Sequence, residues 1–205
     1  MNSIPVLPTS ALARGALELA EESEKPAIVN HSIRTFLYAT LAAGPDILDT
    51  PDNDLLFVAG VLHDVGTADR FNGAQRFEVE GADAAAAYLD ARGLDRRDID
   101  LVWEAIALHT SPGIAERRGP LARLIRLGVR TDFGHPWIDP ELRRAVESEY
   151  PRLGIEKVLA DAVVAQALPR PVAERSEKAP PSSWPGGLLN AHLAKAQNAA
   201  VNPAS

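Results

Sequence analysis

Cysteine is missing from all 205 residues, which excludes disulfides and a thiol nucleophile outright. Any metal must then be held by imidazole and carboxylate, a donor set that suits zinc, iron or manganese rather than a thiolate structural site. Also missing is any apolar stretch approaching the length of a bilayer span, and the opening MNSIPVLPTS has no basic region followed by a long apolar run. A soluble cytoplasmic protein with no membrane partner is expected. Basic charge is in deficit, 21 Lys plus Arg against 28 Asp plus Glu. A surface of that sign repels a phosphate backbone, so no nucleic-acid partner is expected. The one dense basic set, Arg117, Arg118, Arg123, Arg126 and Arg130, reads as a solvated helix face. Without a basic groove around them, Trp103, Trp137 and Trp184 are not base-stacking platforms; Trp103 reads as core, and Trp137 as a candidate pocket wall. Glycine loops of the GxxxxGK or GxGxxG kind are absent too, which leaves nucleotide cofactors unsupported. No region alternates with a period of two, so no sheet is expected.

What remains is helical, and 46% apolar with 24% charged residues is ordinary for one packed domain. The expected fold is all-α, a helical bundle over residues 1–168 followed by an irregular, Pro-rich C-terminal tail over 169–205. Apolar periodicity and caps predict helices from Ala11 to Glu22, from a cap at Asn30 to Ala43, and from Asp52 or Asp54 to Leu62. Pro26 is expected to end the first and Gly44-Pro45 the second, with Gly66 terminating the third. Further helices are expected from Glu78 or Gly81 to Asp90, Asp98 to His109, Pro120 to Arg130, Pro140 to Glu149 and Gly154 to Leu168. The stretch Thr67 to Arg76 reads as a loop. In the tail, LLNAHLAKAQNAA is a candidate short helix, and Trp184 with Leu188-Leu189 favours packing on the domain or across a homo-oligomer over floating in solvent.

The chemistry concentrates in a few residues. His31 faces inward with Arg34 one turn later, and His63-Asp64 follows the apolar run LLFVAGVL. A buried carboxylate beside a buried imidazole needs a compensating charge, and a metal ion supplies one. Asp132 would complete a four-point shell of nitrogen and oxygen, although an Asp directly after a helix also reads as a cap or a solvated residue.

The order His31, His63-Asp64, Asp132 resembles the HD superfamily of metal-dependent hydrolases. The blocks HSIR (31–34), VLHDVGT (61–67), RFEVEGA (76–82), WEAIALHT (103–110) and GVRTDFG (128–134) together resemble its cyanamide hydratase-like members. That resemblance implies one divalent metal, zinc foremost with iron or manganese as alternatives, on His31, His63, Asp64 and Asp132. It also makes His109 an extra pocket histidine. Many nucleotide-directed HD phosphohydrolases carry a lysine shortly after the HD pair, where this chain has Val65-Gly66-Thr67.

The implied reaction is hydration of cyanamide or a related nitrile to urea or an amide: metal-bound hydroxide attacks the nitrile carbon and His109 delivers a proton to nitrogen. Arg34 either orients a metal-ligand carboxylate or binds substrate. Arg76 and Glu80 stand four apart, a spacing suited to an ion pair that fastens a pocket-closing loop anchored by Phe77. His135 is a site neighbour or an exposed loop residue. Two other classes stay open: an HD phosphohydrolase acting on a nucleotide or small phosphate ester, with Arg34 or Arg76 holding anionic oxygen, and a non-enzymatic helical binding or scaffold protein. The intact ligand set argues against the last.

Overall fold

The computed structural model describes residues 4–43 and 53–201, and every regular element among them is a helix. The expected stop at Gly44-Pro45 and the expected start at Asp52 lie outside the described residues. Helix α1 (Ala11–Ser23) begins where the Ser10 hydroxyl accepts from Ala13 N, a side-chain cap on an otherwise orphan donor. Pro26 does not end this segment. It opens α2 (Pro26–Ala43) instead, at a position where a missing N–H costs nothing and a fixed φ suits the first turn. Asn30 therefore lies inside α2, and its amide donates to Pro151 O at 2.9 Å.

Helix α2 and α3 (Asn53–Leu62) form the middle of the molecule. Leu55 to Leu62 are all buried, which explains why α3 shows no polar face. Around them stand α4 (Phe77–Asp90), α5 (Arg96–Leu108), whose cap is Asp95, and α6 (Pro120–Asp132). Phe36, Leu37, Val58, Leu62, Leu89 and Ile125 are among the core residues with no exposure. Then come α7 (Pro140–Glu149), capped twice by Asp139, and α8 (Ile155–Ala167).

Two glycines decide how closely the site-bearing elements approach. A Cβ at Gly128 in α6 would collide with the Thr35 carbonyl oxygen of α2, so only glycine lets these two helices touch backbone to backbone. That approach carries Asp132 to His31 and Arg34. Gly66 is not the terminator of α3, which ends at Leu62. It lies in a 3-10 turn (Val65–Thr67), where a Cβ would strike the Phe77 carbonyl oxygen at the start of α4. The segment expected as loop continues through a second 3-10 turn, Asp69–Phe71.

The C-terminal segment is more regular than its composition suggests. It forms α9 (Val172–Lys178) and α10 (Trp184–Val201), and Ala179 and Leu189 are buried against Val164 and Ala167 of α8. Among the described residues of this segment proline sits at or just before the helix starts, at Pro171 and Pro185, and in turns, at Pro169 and Pro180-Pro181, which reconciles a Pro-rich composition with helix.

Candidate metal centre and cavity

Five buried polar side chains meet where the ends of α3, α5 and α6 reach the flank of α2. His31 and His63 have no exposure, and Asp64, His109 and Asp132 have 1%. His31 comes from inside α2, His63 and Asp64 from the turn after α3, His109 from the end of α5, and Asp132 from the last turn of α6 rather than beyond it.

The hydrogen bonds assign the tautomers. His63 Nδ1 lies 2.8 Å from Gly60 O and His109 Nδ1 2.6 Å from Ile106 O, so in each ring Nδ1 donates to a carbonyl. His31 Nδ1 lies 2.6 Å from Asp132 Oδ2 and donates to the carboxylate. The Nε2 atoms of the neutral rings therefore carry bare lone pairs, the arrangement that outer hydrogen bonds impose on metal-binding histidines. His31 Nε2 and His63 Nε2 stand 3.2 Å apart, and Asp64 Oδ2 lies 3.5 and 3.3 Å from them. Asp64 Oδ2 is buried without a hydrogen-bond donor. Two lone pairs and an orphan carboxylate oxygen repel unless a proton or a cation sits among them. His31, His63 and Asp64 are the one group among the described residues whose donor atoms all lie within 4.8 Å of one another. These residues fit a divalent cation.

Electrostatics point the same way. Burial alone would lower the His63 pKa, but Asp64 prevails and raises it above the ordinary imidazole value. In His31 burial wins and the pKa falls. Burial opposes ionisation of Asp64, yet His63, His109 and His31 hold it well below the usual carboxylate range. A site that draws a proton onto His63 draws a metal ion for the same reason, and the two compete.

Asp132 stands apart from this trio. Its Oδ1 accepts from Arg34 Nε at 2.7 Å and Arg152 Nη1 at 3.1 Å, and its Oδ2 accepts from Arg34 Nη2 at 2.7 Å and His31 Nδ1. A carboxylate offers about four lone-pair sites, and all are taken. The expectation that Asp132 supplies a ligand atom therefore departs from its arrangement here, behind His31. Arg34, without exposure, orients this carboxylate and does not reach the cavity. Arg152, invisible to motif reading because it sits in the irregular PRLG segment, is the third partner.

A cavity of about 780 Å³ opens over the trio. His31, His63, Asp64 and His109 line it, His109 Nε2 lying 3.5 Å from Asp64 Oδ1. Arg76 also lines it but pairs with Glu78, not Glu80: Nη2 meets Glu78 Oε1 at 2.8 Å, and the Thr110 hydroxyl donates to the same oxygen. Arg76 is the extended N-cap of α4, and although Glu80 N donates to Arg76 O at 3.1 Å, the Arg76 side chain pairs with Glu78 instead. Glu80 lies off the cavity, accepting from Gln75 N at 2.6 Å. Buried Glu78 escapes motif reading because in sequence it is one more acid in an acidic first turn. Phe77 stacks edge-on against His109 and Trp184, ring centroids 5.6 and 6.1 Å apart. Trp137 and His135 do not line the cavity, and Trp103 is half-buried with Nε1 donating to Asp83. Arg126 and Arg130, expected on a solvated face, do line it.

The HD domain family model matches residues 28–163, a span that contains all five of these buried groups. Cyanamide hydratase DDI2 and cyanamide hydratase DDI3 of Saccharomyces cerevisiae are each 28% identical over 157 residues, covering 71% of this chain and 68% of theirs.

Proposed function

The chain belongs to the HD domain family, and from that premise we propose that it is a metal-dependent hydratase of small nitrile-like substrates, with cyanamide-type hydration to urea or an amide as its reaction. The observation that carries this reading is the convergence of His31 Nε2, His63 Nε2 and orphaned Asp64 Oδ2 beneath a cavity. These three residues hold the metal, zinc foremost, with iron or manganese as alternatives. When bound, such an ion lowers the pKa of water and polarises an electron-poor centre.

The chain's own groups do the rest. Asp132, clamped by Arg34, positions the His31 ring and keeps its Nε2 lone pair turned to the trio. With Nδ1 committed to Ile106 O, His109 exchanges protons with the cavity through Nε2 alone. As water adds across C≡N, an O–C bond forms, the π electrons move to nitrogen, and the bare Nε2 of His109 takes a proton from the water and hands it to that nitrogen, giving an imidic acid that tautomerises to the amide or urea. Trp184 lines the cavity, and Phe77 packs edge-on against both its ring and that of His109. The working location is the cytoplasm; among the described residues no helix is long and apolar enough to cross a membrane.

A second reading, phosphate-ester hydrolysis, draws support from the arginines Arg76, Arg126 and Arg130 along the cavity. Against it stands the lack of a lysine after the dyad, where Val65, Gly66 and Thr67 are buried. The deciding experiment offers one metal-loaded preparation cyanamide, small nitriles, nucleotides and phosphate monoesters, and quantifies urea or amide beside phosphate. Urea or amide formation is expected, and phosphate release without hydration would replace the first reading by the second.

A further inference from the structure

The cavity is too large for its proposed chemistry. About 780 Å³ lies in the range that encloses drug-sized ligands, whereas cyanamide would occupy only the floor around the trio. The lining there mixes the apolar side chains Ile114, Phe133, Leu159, Trp184 and Leu188 with guanidinium groups. Arg76 is matched by Glu78, and Arg126 reaches Glu116 only at 3.5 Å while its Nη1 donates to His109 O at 2.9 Å. Arg130, one turn along α6, has no side-chain partner among the described residues.

The charge on this wall does not balance. Arg76 and Arg126 each have a carboxylate partner, Glu78 and Glu116, and Glu156, also on the cavity, is bonded to Arg152 at 2.5 Å; Arg130 is the lining guanidinium left without an acidic partner among the described residues. Burial lowers the Arg126 pKa despite the opposing pull of Glu116, and the nearby Arg130 adds a smaller effect in the same direction as burial. The guanidinium of Arg126 cannot leave to relieve this, because it is tethered to the backbone of His109.

We infer that the cavity binds a substrate bearing a single carboxylate, held by Arg130 and Arg126, with a short apolar spacer running along Phe133 and Leu188 to the reacting nitrogenous group at the floor. This rests on the hydratase reading and narrows its substrate class. The unpaired guanidinium of Arg130 calls for an anionic partner, and its planar fork matches a planar carboxylate in geometry.

The test uses the full-length, metal-loaded protein with cyanoacetate, its neutral counterpart cyanoacetamide, cyanamide and methyl phosphate as probes. Binding is read by tryptophan fluorescence and calorimetry, and turnover by amide or urea formation. Cyanoacetate is expected to bind at least tenfold more tightly than cyanoacetamide, with the preference shrinking as salt rises. Arg130→Ala, at an exposed position that should not disturb folding, and Arg130→Glu should abolish that preference, visible as a collapse of the cyanoacetate-to-cyanoacetamide ratio in Kd. If the preference and its loss appear but no nitrile is hydrated, the hydratase reading falls and the carboxylate subsite stands. If cyanamide is hydrated while cyanoacetate binds no better than cyanoacetamide, or Arg130→Ala changes nothing, the subsite falls and the hydratase reading stands. Methyl phosphate binding more tightly than cyanoacetate would also overturn the carboxylate assignment.

Discussion

The inner wall of the cavity and its outer cover are built by opposite rules. On the inner wall His31 and His63 are buried, and behind it Asp132 is tied to His31 and Arg34 by short charge-assisted bonds. The cover, formed by α9, α10 and the turn between them, touches the cavity through Trp184, which is 40% exposed, and Leu188, and is fastened by a handful of polar bonds. Arg175 of α9 donates from Nε to Arg170 O at 3.0 Å and from Nη2 to Leu168 O at 2.8 Å. Burial makes every polar group of the wall expensive to disturb. Solvent makes each contact of the cover replaceable.

That contrast ranks the expected effects of substitution. Asp132→Asn should be the most damaging change, because it leaves Arg34 a buried cation without its anion, a loss of about 3–5 kcal/mol in chemical denaturation. Metal affinity should fall together with it by roughly 10–100-fold, the usual cost of removing a group that orients a ligand. Asp132 has a depressed pKa because Arg34 and His31 outweigh its burial. Its contribution is therefore present above the unfolded value of about 3.9 and is lost as pH falls through the folded one, so the gap between wild type and Asp132→Asn should close in strong acid. A variant as mild as a surface substitution would break the contrast.

His63→Ala should bring metal content, measured by elemental analysis at limiting metal, from about one per chain to near zero. In the wild type, the raised His63 pKa means that protons begin to displace the metal as pH falls from above about 6.5. On the cover, Trp184→Ala should cost only about 1–2 kcal/mol, since much of the ring is already in solvent. Its sharper effect should be on KM for the larger substrates, and unchanged KM would mean that the cover does not shape the cavity.

The smallest expected effect has the opposite sign. Glu24, just after α1, is buried with both carboxylate oxygens unpartnered, and burial, reinforced by Asp64, pushes its pKa well above the carboxylate range. Its native state holds a proton more tightly than its unfolded state, so stability is full below the unfolded pKa and declines as pH rises through the folded one. Glu24→Gln should therefore gain about 1 kcal/mol at neutral pH in thermal or chemical denaturation.

The same division separates what is legible in the sequence from what is not. His31, His63 and Asp64 stand out because ionisable side chains placed against LLFVAGVL must be buried, and a buried carboxylate between two imidazoles calls for a cation; the helices follow from caps and periodicity. Asp132 is legible as a member of the site but not as the partner of three donors, since its bonds run to Arg34 and Arg152 in other elements. Glu78 stays hidden for the same reason, paired with Arg76 and with Thr110 more than thirty residues away. Arg126 and Arg130 look solvated because helical spacing gives a face but not what stands opposite it. What stands opposite is the C-terminal cover, whose α10 is legible from LLNAHLAKAQNAA but whose α9 is concealed by a proline-rich composition.

Gly66 limits how this protein can be re-engineered. Because the dyad's turn rests directly on the first carbonyl of α4, no residue larger than glycine fits there without prising Arg76 and Glu78 away from the floor. A saturation library across VLHDVGT should return wild-type glycine at that position under any selection that demands turnover. Diversity aimed at new substrates is better placed at 130, 184 and 188, where the cavity meets solvent and neighbouring atoms have somewhere to go.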